Sequence, residues 1–77
     1  MLMVLRTAKK KVLPLLAGGV ELSTSAIRER LGVGKNTVHK HLQVLEFHGL
    51  VYGEWRRVKK KKDGRVYHVH EKVWSKL

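Results

Sequence analysis

The stretch AIRERLGVGKNTVHKHLQVLEFHGLV, Ala26 to Val51, admits very few backbone shapes. Ile27 and Leu31, four residues apart, share one face of a short helix, while Arg28, Glu29 and Arg30 fall outside it. Gly32 then stands where a left-handed residue closes a helix, and Gly32-Val33-Gly34 makes a three-residue turn. Val38, Leu42 and Leu45 recur at i, i+4 and i+7, the core stripe of a second helix from about Lys35 to His48. Gly49 ends that helix, and Leu50-Val51 returns the chain to the core. Two short helices across a tight turn, followed by a strand, constrain the fold more than any other part of the chain.

The flanks complete the pattern. Leu5, Ala8, Val12 and Leu15/Leu16 repeat close to every 3.6 residues, so a first helix is expected over Leu2 to Ala17, with Lys9, Lys10 and Lys11 toward solvent. Pro14 conflicts with that helix, because its ring clashes with the preceding turn. The helix must kink near Lys10–Lys11 or stop early, and Gly18-Gly19 ends it. Val20-Glu21-Leu22 reads as a short extended segment, and Ser23 or Thr24 as the N-cap of the helix that follows. From Tyr52 onward the pattern is β-like. VYGEWRRVKKK and RVYHVHE flank Asp63-Gly64, a two-residue hairpin signal. That register sets Val58 opposite Val69, Lys60 opposite Tyr67, and Arg56 opposite Glu71 as an ion pair. Gly53 is expected at a bulge, and the tail VWSKL as at most a turn of helix. No repeat or linker divides the chain, so residues 1–77 are read as one domain.

Charge narrows the class of partner. A formal net charge of +11 on 77 residues favours a polyanion, and a hydrophobic fraction of 43% is enough for a folded core. With no cysteine there is neither a disulfide framework nor a thiolate metal site. No apolar run approaches the ~18 residues that span a bilayer. The N-terminus is apolar before it is basic, the reverse of a signal peptide, so a cytoplasmic, nucleoid-associated protein is expected. No glycine-rich phosphate loop, nucleophile elbow or carboxylate pair appears, which argues against an enzyme, and no cofactor is expected. Five histidines raise a metal site, but His39/His41 and His68/His70 lack helical i, i+4 spacing and acidic company, so none is assigned. His41, beside Leu42, is expected at the edge of the core.

The candidate contacts follow from the core stripe. With Val38, Leu42 and Leu45 turned inward, Asn36, His39, Lys40 and Gln43 lie opposite or at the margins, where amides can pair with adenine and cations with guanine. Lys35 and Thr37, at the helix start, suit phosphates. The hairpin adds Arg56, Arg57, Lys59, Lys60, Lys61, Lys62 and Arg65, seven of seventeen cations within ten residues. One or two lysines guard an edge strand against aggregation; seven ask for an anion.

From Lys11 to Val69, about three quarters of the chain, the sequence resembles the winged helix-turn-helix transcriptional regulators of the ArsR-like and MarR-like group. The resemblance rests on LGVGKNTVHKHLQVLEFHGLV, which is similar to their recognition-helix signature. It implies an α+β winged helix-turn-helix fold, three helices plus a two- or three-stranded β-wing, and places Lys35, Asn36, Thr37, His39 and Lys40 at DNA-contacting positions. His39 stands where many relatives carry serine, and the metal-sensing cysteine motif is absent at Leu22 to Ile27. Small archaeal, plasmid and viral regulators are similar in size. The expected function is therefore a sequence-specific regulator on double-stranded DNA, by default a repressor. It is expected to act as a homodimer through Leu2, Val4, Leu5, Val12 and Leu16 with Trp74 and Leu77. The alternatives are a protein-interaction module on the same scaffold and a non-specific nucleic-acid-binding protein.

Overall fold

The computed structural model describes residues 2–77, and of Leu2 only the backbone; the expectation that its side chain joins a dimer interface lies outside the described residues. The elements are α1 (Leu2–Lys11), a 3₁₀ segment (Leu13–Gly19), β1 (Leu22–Ser23), α2 (Thr24–Leu31), α3 (Lys35–Phe47), β2 (Val51–Lys62) and β3 (Arg65–Lys76). The three strands form one antiparallel sheet in the order β1-β3-β2. This is an α+β winged helix-turn-helix. Among the described residues no helix is long and apolar enough to cross a membrane.

Pro14 decides the first helix. It stops at Lys11 rather than running on to Ala17, and the chain tightens into the 3₁₀ segment with Pro14 in its first turn. The proline takes a place where its missing N–H costs nothing, instead of clashing with an α-helical turn. The change of helix type still delivers Ala8, Val12 and Leu16 to one core.

That core consists of Ala8, Val12, Leu16, Ile27, Val38, Leu42, Leu45, Val51 and Trp74. It absorbs most of the apolar surplus expected to serve a dimer. Val12 and Leu16 are fully buried, Leu5 packs against the cluster, and Trp74 is 3% exposed. The tail is no helical turn. It continues β3 through Lys76, which carries Trp74 under the helices.

Caps fix the two-helix unit. Ser23 Oγ accepts from the Ala26 amide at 3.2 Å, and Gly32 closes α2 at φ 65°. At the end of α3, Gly49 adopts φ 70°; its amide donates to Glu46 and that of Leu50 to Leu45, the paired bonds that turn a helix back on itself.

The hairpin register is as the sequence implies, with Val58 facing Val69, Lys60 facing Tyr67 and Arg56 facing Glu71. Asp63 and Gly64 both take positive φ, 52° and 76°, as a tight two-residue turn demands. Two expectations are corrected. Gly53 is no bulge, since pairing runs unbroken through Gly53 and Trp74. A Cβ there would lie 2.8 Å from the Trp74 ring, so glycine is required for close approach of the indole. Nor do Arg56 and Glu71 pair. Arg56 bonds Glu21 at 2.7 Å and Glu54 at 3.0 Å, while Glu71 takes Lys60 at 3.0 Å.

Candidate nucleic-acid interface

Helix α3 separates its side chains by chemistry. Val38, Leu42 and Leu45 are fully buried, and Lys35, Asn36, Thr37, His39, Lys40 and Gln43 are all exposed. The exposed set splits again by angle. Lys35, His39 and Gln43, at four-residue steps, form a row along the side facing the hairpin. Asn36 and Lys40, one residue further round, stand opposite the core, and Thr37 falls on the far flank.

Between that row and the hairpin runs an open groove of about 540 Å³. Arg28 of α2 lines it, as do Trp55, His70 and Lys72 of the hairpin. These four are absent from the contacts expected from sequence. Periodicity alone does not say which face of a hairpin meets a helix. The one available signal is Trp55, a large aromatic inside a cationic run, and it is 68% exposed. Lys72 lies 5.0 Å from the Trp74 ring and 6.0 Å from that of Trp55, and it reaches Glu46 at 3.7 Å.

The hairpin is tied to the start of α2. Thr24 Oγ1 accepts from Trp74 Nε1 at 2.9 Å and donates to the Lys72 carbonyl at 3.3 Å. The Glu71 carboxylate accepts from the Ser25 amide at 2.6 Å, and Lys60 Nζ donates to Ser25 Oγ at 2.7 Å. Glu71 thus satisfies one of the free amides at the head of α2 and binds a cation from the neighbouring strand. Burial works to raise its pKa, but the bonds from Ser25 and Lys60 prevail and hold it below the usual carboxylate range.

These ties divide the cations expected to contact nucleic acid. Arg56 and Lys60 are engaged within the fold, and the carboxylates beside Arg56 raise its pKa further. Arg57, Lys59, Lys61, Lys62 and Arg65 are exposed, and among the described residues they form no ion pair. No group of three or more histidines and carboxylates converges among the described residues to hold a metal ion. His41 sits where expected, at the core margin. Its Nδ1 is buried without a partner among the described residues; desolvation first, then the charges of Lys11 and Lys40, lower its pKa.

A cation-lined helix beside a cationic hairpin, both carried on a three-helix core, defines a helix-turn-helix protein with a wing. The model of the helix-turn-helix domain family matches residues 10–53, more than half of the chain, and the chain belongs to that family. The family points to DNA as the partner and to transcription regulation as the role. No individual curated protein matches the chain.

Proposed function

We propose that this protein is a sequence-specific regulator of double-stranded DNA, a binding protein rather than an enzyme, with α3 in the major groove and the wing on phosphates or the minor groove. One observation carries the reading. The polar row of α3 and the wing residues Trp55, His70 and Lys72 border the same groove, the exposed Arg57 and Lys59 lie on that same face of the hairpin, and the acidic side chains Glu21, Glu54 and Glu71 are spent on Arg56 and Lys60. Asn36, Lys40 and Gln43 are the base readers in this reading, with His39 on the wing side of them. Lys35, Thr37, Arg57, Lys59, Lys61, Lys62 and Arg65 hold the backbone. The ArsR-like and MarR-like resemblance favours a repressor that acts by occupying its site. A homodimer on an inverted repeat belongs to the same proposal, resting on Met3, Phe47 and Leu77, which are 83%, 88% and 72% exposed.

The test is a titration of duplex DNA at increasing salt, beginning from a site selected out of random sequence. About 4–6 phosphate contacts per subunit contribute a log–log slope of roughly −3.6 to −5.4 for each subunit bound. Asn36→Ala is expected to relax preference at particular base pairs, by roughly 1–3 kcal/mol, and to spare random duplex. Alanine at Lys59, Lys61 and Lys62 is expected to weaken every duplex alike and to flatten the slope by about one for each phosphate no longer neutralised. A flat salt response removes nucleic acid as the partner.

A further inference from the structure

The outer wing has two faces of different chemistry. Alternation along the strands puts Arg56, Val58 and Lys60 on one face, with Glu71, Val69 and Tyr67 across from them. That face is partly covered by the protein, with Arg56 and Tyr67 still exposed. Val58 and Val69 are half-buried, and the two cations are held by Glu21, Glu54 and Glu71. The other face sets Arg57 directly across from His70 and Lys59 directly across from His68. All four side chains are exposed, and among the described residues none of them makes an ion pair or a side-chain hydrogen bond.

The charges around the two histidines are one-sided. His70 borders the groove with Arg28 of α2, Lys35 and His39 of α3, and Lys72 of its own strand. The carboxylates nearby are engaged, Glu71 by Lys60 and Ser25, and Glu46 by Lys72 at 3.7 Å. His68 has Lys59 opposite and Arg57 and Lys61 diagonally across. A phosphate chain laid over this face meets both imidazoles together with Arg57 and Lys59, and its negative charge favours the protonated ring.

We propose that His68 and His70 take up protons when this face of the wing closes on a nucleic-acid backbone, so that duplex affinity is coupled to pH. The inference rests on the DNA-binding reading above. The coupling has a definite sign: if the complex holds more protons than the free protein, affinity rises as pH falls, by up to tenfold per pH unit for each proton taken up. Imidazoles place that response between about pH 5 and 8.

The experiment measures duplex affinity at pH 7.5 and 5.5, at one salt concentration, for the wild type, for H68Q/H70Q and for H39Q. The wild type is expected to bind at least about tenfold tighter at pH 5.5, and the double variant to change by no more than about twofold. H39Q is expected to keep most of the dependence. Calorimetry in two buffers of different ionisation heat counts the protons directly, with about one or more taken up by the wild type and close to none by the double variant. Equal unfolding midpoints for wild type and variants, expected for exposed side chains, exclude a folding defect. Intact binding with no pH dependence overturns this inference and leaves the DNA-binding reading standing. Full pH dependence in H68Q/H70Q overturns it equally. Failure to bind any duplex at low salt defeats the underlying reading, and the proton linkage with it.

Discussion

The recognition helix and the wing hold their functional side chains in opposite ways. Helix α3 is anchored from behind: three fully buried residues fix its rotation, so its exposed polar side chains are placed by burial. The wing has buried residues only at its base, Val51 and Trp74, and past its pairing with β1 it extends as a two-stranded ladder. An isolated two-stranded hairpin is marginal in water. Here Lys60, Glu71, Ser25, Thr24 and Trp74 form a polar tie to α2 that sets the hairpin's angle. Hydrophobic burial aims one half of the interface and hydrogen bonds aim the other. Mutations in the two anchors should therefore differ in size and in their response to pH.

The largest break is expected behind α3. Leu42→Ala removes a fully buried side chain from the centre of the stripe. Loss of its burial plus the cavity left behind costs about 2–5 kcal/mol, which in a domain this small approaches the whole stability. Denaturant unfolding measures it. A loss under about 1 kcal/mol, well below the range for such a truncation, would mean that α3 is not positioned by burial.

Next comes the base of the wing. Gly53→Ala puts a Cβ against the Trp74 ring at less than van der Waals distance. The indole is held by Thr24 and by the core, so it has little room to yield. Overpacking of this kind costs about 1–3 kcal/mol. If the variant is as stable as the wild type, the close packing of Trp74 on Gly53 is not a constraint.

These two anchors are unequally legible in the sequence. The core stripe, the cap at Ser23, the turn at Gly32 and the hairpin register all follow from local spacing, because each depends on residues within a few positions of one another. The close approach of Gly53 to Trp74 depends on a residue far along the chain, on the partner strand, so local pattern suggests a bulge at that glycine instead. Arg56 and Glu71 illustrate the same limit. Their cross-strand position is readable, but their partners are chosen by what stands above the sheet: Glu21 ahead of β1, and Ser25 at the head of α2. The groove residues Arg28, Trp55 and Lys72 escape sequence reasoning for that reason too, since the twist of the hairpin against α3 leaves no trace in hydrophobic periodicity.

The tie between wing and α2 should break more gently, and with a pH signature. Glu71→Gln keeps the shape but loses a charge-assisted pair with Lys60 and Ser25, which is expected to cost about 1 kcal/mol at neutral pH. The sign of the acid response is fixed by the lowered pKa of Glu71 in the fold. Its contribution is complete above the ordinary value of 4.5 and is lost as pH falls through the lower folded value. Melting curves from neutral pH down into the acid range should therefore converge for wild type and variant at the acid end. A constant gap across that range would show that Glu71 acts through packing rather than charge.

The smallest effect belongs to His41, on the margin where α3 meets α1. Its buried Nδ1, unpartnered among the described residues, and the nearby Lys11 and Lys40 favour the neutral ring, so the folded pKa lies below the ordinary value of 6.5. The unfolded chain then binds the extra proton more readily than the fold does. The stabilising contribution of His41 is complete above about pH 6.5 and declines as pH falls toward the folded value. H41Q cannot take up that proton, so between about pH 7.5 and 5.5, the imidazole range, it should lose less stability than the wild type. The direction opposes that expected at the wing, where acid strengthens DNA binding: lowering the pH loosens the rear of α3 while it tightens the face that grips the backbone. Unfolding and duplex titration across the same pH interval separate the two. If H41Q and wild type lose stability equally, the His41 ring is not held neutral by its surroundings, and the pH response of the fold must originate elsewhere.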